Sequence, residues 1–162
     1  GLVNMEGDWI AAPMYDSGGS FFAGYAYLAK NGKYGYIDKS GEFVIPMKYS
    51  DARDFDPINN LAAVAEDAKW GVIDINGNYI VPAVYDNVTI CGDGYICVGK
   101  DSRYGIYTPD GRELYPVECD AIECDEHSPL FRYEVASARL NDQRIRIDKQ
   151  GNVIYQYSLI AD

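Results

Sequence analysis

The sequence predicts an all-β protein made of tandem three-stranded antiparallel meanders of about 35 residues each, stacked as an open twisted array. Three observations predict it. Sliding the chain on itself aligns four windows. Within each window large and small residues alternate with the period of a strand. Hairpin-turn residues recur on either side of each window at matched positions.

The windows are Tyr34–Gly41, Trp70–Gly77, Tyr104–Gly111 and Arg144–Gly151, at offsets of 36, 34 and 40 residues. The first reads Tyr34-Gly35-Tyr36-Ile37-Asp38-Lys39-Ser40-Gly41 and the second Trp70-Gly71-Val72-Ile73-Asp74-Ile75-Asn76-Gly77. In the third, Thr108 stands where the others have Asp, and the fourth has Arg144-Ile145 in place of the aromatic-Gly pair. Downstream comes an apolar pair and a proline, Val44-Ile45-Pro46, Ile80-Val81-Pro82 and Leu114-Tyr115-Pro116, then Tyr49, Tyr85 or Cys119. An Asp follows closely at 51, 86 or 120. Upstream lies a small, apolar run such as Leu61-Ala62-Ala63-Val64. Trp9–Asp16 looks like the tail of an earlier copy, so the division is a half-repeat at 9–24 and repeats at about 25–58, 61–94, 95–132 and 133–162, in one domain spanning 1–162.

Each unit then has three strands. The upstream run is the first. A turn follows at Asn31-Gly32, Asp67-Ala68, Asp101-Ser102 or Asn141-Asp142; Asn-Gly is the strongest hairpin signal because both residues accept positive φ, and the copies without Gly are expected to turn differently. The second strand carries the aromatic, with Gly35, Gly71 and Gly105 in its middle, where glycine weakens a sheet. Its recurrence argues for a large neighbouring side chain over that spot, or for a bulge. Asp-x-x-Gly closes this strand in a type I turn with a left-handed Gly. The third strand is expected to end at its proline, which has no N–H for a ladder. One meander cannot bury its own faces, so units must stack. A small closed propeller-like arrangement is the alternative to the open array.

These residues resemble the WG-repeat family, also called KWG repeats. Lys69-Trp70-Gly71-Val72-Ile73-Asp74 and Lys33-Tyr34-Gly35-Tyr36-Ile37-Asp38 carry the resemblance, each with its downstream Gly, apolar pair, Pro and Tyr. It spans roughly residues 9–155, with the fourth copy as a candidate cap. The resemblance implies a largely bacterial family of repeat scaffolds with no established enzymatic role.

The net charge of −11 repels nucleic acid and anionic membranes, and no Lys/Arg cluster offsets it. No apolar run approaches the ~20 residues of a membrane span. Asp38, Asp74 and Asp148 read as turn residues and not as acids or ligands. The clusters Asp51-Asp54-Asp56 and Asp120-Glu123-Asp125-Glu126 lack the order of a calcium loop and read as solvated loop charge. His127 is the single histidine, with no nucleophile setting around it. Gly92-Asp93-Gly94 lacks the third glycine and the helix of a dinucleotide site. Cys91, Cys97, Cys119 and Cys124 are scattered and lack the tight pairs of structural zinc sites, so they read as small buried hydrophobes, with disulfides as the alternative. No catalytic, cofactor-binding or metal-ligating residue is assigned, and no cofactor is expected.

Tyr34, Trp70 and Tyr104 follow the repeat spacing and read as core between units. Repeat positions have little freedom to choose a partner. The connections 17–24, 53–60, 89–94 and 123–132 differ in length and character, and they are where binding is expected. The expectation is therefore a non-catalytic scaffold that binds another protein. A cell-surface glycan-binding module is the alternative; flat clustered aromatics would favour sugar, and aliphatic patches on variable loops would favour protein.

Overall fold

The structure, a computed structural model, describes the backbone of residues 1–158 and the side chains of residues 1–154. Among the described residues there is no helix. Strands β1 (Leu2–Val3) and β2 (Trp9–Ala11) form a short antiparallel pair. A first sheet follows in chain order: β3 (Ser17–Gly18), β4 (Tyr25–Lys30), β5 (Lys33–Asp38) and β6 (Phe43–Tyr49). The second holds β7 (Asp51–Ala52), β8 (Leu61–Glu66), β9 (Lys69–Asp74) and β10 (Tyr79–Tyr85). The third holds β11 (Asn87–Ile90), β12 (Ile96–Lys100), β13 (Arg103–Tyr107) and β14 (Glu113–Cys119). The fourth holds β15 (Ala121–Ile122), β16 (Val135–Leu140), β17 (Gln143–Asp148) and β18 (Val153–Ser158). Each is a four-stranded antiparallel meander, and none closes into a barrel.

The expected three strands are present in every copy, and a short fourth precedes them. It forms from residues that lead into the stretches assigned to the connections, and these pair with the small, apolar strand: Asp51↔Ala65, Asn87↔Gly99 and Ala121↔Arg139. The chain divides into two compact units, Gly1–Val84 and Tyr85–Asp162. In the first, Tyr36, Ile45 and Tyr49 pack against Ala62, Val64 and Ile73, between the first two sheets. In the second, Cys97, Ile106 and Leu114 pack against Ala136, Ala138, Ile145 and Ile147, between the last two. Because both faces of the first sheet are covered, adjacent residues Tyr36 and Ile37 are both buried, one toward the second sheet and one toward the β1–β2 pair. The repeat aromatics Tyr34, Trp70 and Tyr104 are half-buried rather than central. Tyr34 leans on Tyr27, with ring centroids 5.8 Å apart, and the Arg53 guanidinium lies 4.7 Å from the Trp70 ring.

The mid-strand glycine and the proline explain one another. A Cβ on Gly71 would sit 2.6 Å from the Val81 carbonyl oxygen and 2.7 Å from the Ala83 nitrogen. Gly35 faces Ile45–Met47 and Gly105 faces Tyr115–Pro116 in the same way. The crowding partner is thus chiefly the backbone of the next strand, joined at Gly105 by the Val117 side chain. The ladder shifts register there: Tyr34 pairs Tyr49, whereas Tyr36 pairs Ile45. This is a bulge, and the proline rides in it, so β6, β10 and β14 run on past Pro46, Pro82 and Pro116 instead of ending there. The fourth copy has neither Gly nor Pro, and its ladder runs in register through Arg144↔Tyr157, Ile145↔Gln156 and Arg146↔Tyr155. Ile145 fits because the shift opposite the glycine position is absent here; one shift remains, between Arg146 and Ile147.

Two turn expectations change. All four tight hairpins use the same left-handed pair, including Asp67-Ala68 (φ 48° and 65°), Asp101-Ser102 (51° and 61°) and Asn141-Asp142 (50° and 61°). The absence of Gly does not alter the turn; it leaves it strained. A partner stabilises three of them: the carboxylate just before the short first strand accepts the N–H of Asn31 (Asp16, 2.6 Å), Asp101 (Asp86, 2.9 Å) or Asp142 (Asp120, 3.4 Å). The early copy also starts sooner than Trp9. Asn4 Oδ1 accepts the N–H of Glu6 and Asp8 at 3.0 and 2.8 Å, and Gly7 has φ 90°. Asn4-x-x-Gly7 is the Asp-x-x-Gly turn with Asn for Asp, which hid it.

The Asp-x-x-Gly turns are as expected. Asp74 Oδ1 accepts the N–H of Asn76 and Asn78 at 2.8 and 2.9 Å, Asp38 and Asp148 do the same, and Gly41, Gly77, Gly111 and Gly151 all have positive φ. Thr108 substitutes through Oγ1, which accepts the Arg112 N–H at 3.0 Å.

Candidate functional site in the connections between first and second strands

The connections are anchored by buried residues and carry exposed ones between them. In the first unit, Phe55 is 1% exposed and packs on Tyr36 and Tyr25, with centroids at 4.8 and 5.5 Å. The Tyr36 hydroxyl donates to the Arg53 carbonyl at 2.7 Å, and burial pushes its pKa up. The Asp56 carboxylate then accepts the N–H of Ile58 and Asn59 and turns the loop. Ile58 is left 72% exposed at its tip.

In the second unit, the third connection is stapled to the fourth. The Asp93 carboxylate accepts the N–H of Leu130 at 2.9 Å and of Phe131 at 3.1 Å, and the Gly92 N–H donates to the Ser128 carbonyl at 2.9 Å. Phe131 packs on Tyr95 with centroids 4.5 Å apart. Gly92-Asp93-Gly94 thus has a role in joining loops. Tyr133, just past Phe131, is 98% exposed with φ 51°. Beneath this connection lies a cleft of about 450 Å³ lined by Cys124, Ser128, Arg132, Tyr133, Ser137 and Arg146 among others.

The acid clusters are held as loop structure. Asp125 accepts the His127 N–H at 2.9 Å, Asp120 pairs with Arg103, and Asp56 closes its own turn. Among the described residues, no carboxylates converge as a metal-binding group, and His127 joins none. The cysteines differ. All four are free, and three come together: the Sγ atoms of Cys91, Cys97 and Cys124 lie within 4.8 Å of one another, with Cys91 to Cys97 at 3.9 Å. Cys91 and Cys97 are buried, whereas Cys124 is half-buried and borders the cleft. The Cys91 and Cys97 thiols donate to Cys124, which lowers its pKa, and the same contacts together with burial raise theirs. Cys119 stays apart, fully buried at the position of Tyr49 and Tyr85. Spacing hid the cluster because it is assembled by three different segments: the end of β11, the strand β12 and the residue two past β15.

The sequence profile of the WG containing repeat matches residues 1–34, 34–70 and 70–104. The chain belongs to the WG-repeat family. The match takes in the early copy and the windows that start at Tyr34 and Trp70, and it ends at Tyr104, where the third window begins. The degenerate fourth WG copy, from Arg144, lies outside the match. Among solved structures, the chain is similar to a eukaryotic initiation factor at 14% identity and TM-score 0.50, covering 84% of this chain and 40% of that one. It is also similar to a protein of unknown function from Bacteroides caccae (10% identity, TM-score 0.36, 90% of this chain and 61% of that one). A third is YCF48 bound to D1 peptide (13% identity, TM-score 0.41, 89% and 54%). The WG chain thus spans between 40% and 61% of the length of these structures. At such identities the likeness concerns fold alone, and the neighbours are β-propeller-like. No curated protein matches the sequence. The chain is a WG-repeat scaffold.

Proposed function

We propose that this WG-repeat scaffold is non-catalytic and binds another protein through the exposed tips of the connections that join the first and second strands of its sheets. The observation that carries the reading is the exposure of Ile58 at 72% and Tyr133 at 98% on those tips, well above the 38–46% of apolar residues on the last strands of the sheets such as Phe43, Tyr79 and Val84. Isolated apolar groups on a protein surface are ordinary. Their recurrence on connections that are otherwise acidic and hydrogen-bonded is what favours recognition. Aliphatic Ile58 among single, separated rings supports a protein partner over a sugar, which would want flat aromatics together.

Replacing whole connections with Gly/Ser would remove Phe55, Leu130 and Phe131 from the core, so the test must spare them. The triple variant Phe22→Ser, Ile58→Ser, Tyr133→Ser keeps the anchors. Affinity capture from the source cell, followed by titration of the captured protein, should show wild-type binding and at least a tenfold loss in the variant at an unchanged melting temperature. Equal affinity of both proteins would end the loop-tip reading and turn attention to the free strand edges.

A further inference from the structure

We infer that Cys91, Cys97 and Cys124 form a three-thiolate site for one soft divalent metal ion of the zinc type, with its fourth position open to the cleft beneath the fourth connection. Two independent observations carry this. The first is geometry. With zinc–sulfur bonds of about 2.3 Å, thiolates around one ion lie roughly 3.8–4.0 Å apart. The 3.9 Å between Cys91 and Cys97 fits that span, and all three Sγ atoms fall within 4.8 Å of one another, so small side-chain rotations complete it. A disulfide needs a sulfur–sulfur distance near ~2.05 Å, and it would leave the third thiol unused.

The second observation is access and charge. Cys91 and Cys97 are closed off, but Cys124 lines the cleft, so an ion has an entry route and a side from which a water or anionic ligand completes the shell. Three buried thiolates with a divalent ion leave one net negative charge. Arg132 and Arg146 line the same cleft and offset it. Three sulfurs without nitrogen or oxygen select soft ions over magnesium or calcium.

The register places the site in the frame. Cys97 pairs Ile106 as Tyr27 pairs Tyr36, so the thiol occupies a position that in the first unit holds a ring. Binding there would tie β11, β12 and the fourth connection together. The site would stiffen the connection that bears Tyr133, whether or not that residue meets a partner.

The test uses the reduced full chain under anaerobic conditions. Titration with Co2+ should give thiolate-to-cobalt charge-transfer absorption that saturates at one equivalent and is abolished by one equivalent of Zn2+. Cys124→Ser should weaken binding by more than the ~100-fold typical of losing a supporting group, and Cys119→Ser should leave it unchanged. On the wild-type chain, Zn2+ should slow alkylation of Cys124 by iodoacetamide, read by peptide mass spectrometry, without changing that of any cysteine in unfolded control protein. Absence of the charge-transfer band in the reduced wild type overturns the site. So does a band that survives Cys124→Ser, or alkylation of Cys124 that Zn2+ does not slow. Those wild-type readouts hold even where a variant folds poorly.

Discussion

The two units fill one equivalent place differently. Between the first and second sheets, Tyr25 and Tyr36 pack on Phe55 in an aromatic wedge under the second connection, with Tyr27 beside it. Between the third and fourth sheets the register-equivalent ground holds Cys97, Ile106 and Cys91, with Cys124 approaching from the fourth connection. The ladders are superimposable in register: Tyr27↔Tyr36 and Cys97↔Ile106, Leu28↔Gly35 and Val98↔Gly105. What repeats is therefore the backbone device, namely the left-handed hairpin, the glycine beside the bulge and the Asp-x-x-Gly turn. What fills the space between sheets is free to vary, by rings in one unit and thiols in the other.

The largest effect should come from the shared device. Gly71→Val pushes a branched side chain into the backbone at Val81–Ala83, which cannot rotate away. We expect a loss of about 3 kcal/mol or more in chemical denaturation, the upper end of overpacking costs. Ile145 holds the position of Gly71 in the fourth copy, whose ladder is regular at that point, so Ile145→Gly should also destabilise, by loss of burial. If Gly71→Val is tolerated, the coupling of glycine to bulge is wrong.

The next contrast is between fillings. Phe55→Ala removes a ring packed against two others and should cost about 3–5 kcal/mol. Cys91→Ala removes one buried atom and should cost only about 1 kcal/mol in metal-free protein. Equal losses would mean the two fillings carry the same weight and would remove the contrast between them. A smaller gain is expected from Ala68→Gly, which relieves a left-handed alanine at φ 65° and should raise stability by about 0.5–1 kcal/mol. No gain would show that the turn is not strained.

The smallest effect concerns acid. Hydrogen bonds from Ser40 and from Asn152 hold the Asp38 and Asp148 carboxyls below the usual range. A carboxyl with a lower pKa in the folded state adds stability above its unfolded pKa, and that is lost as pH falls through the folded value. The wild type should therefore melt progressively earlier as pH drops below about 4. Asp38→Asn with Asp148→Asn should flatten that slope and keep the turns, since Asn4 makes the same turn naturally.

Much of the frame was legible because it depends on local chemistry. Asp38-x-x-Gly41 and its copies announce their turn, and the recurring Gly35 and Pro46 announce something unusual in the ladder. That the two are one feature became visible only in the register, where the copy lacking one also lacks the other. The short first strands β7, β11 and β15 were hidden because two to four residues carry no period. The thiol cluster was hidden for the opposite reason: its members are plain in the sequence, but their meeting depends on how two sheets pack. Anchors such as Phe55 and Phe131 read as loop residues until their burial was seen.

The central claim is that the frame is fixed and the connections recognise. Hydrogen exchange of the chain, free and bound to its captured partner, tests it most directly. The account predicts added protection at 53–60 and 123–133, with the amides of β5, β9 and β13 unchanged. Protection gained along a sheet-edge strand, with those connections exchanging as before, would contradict it.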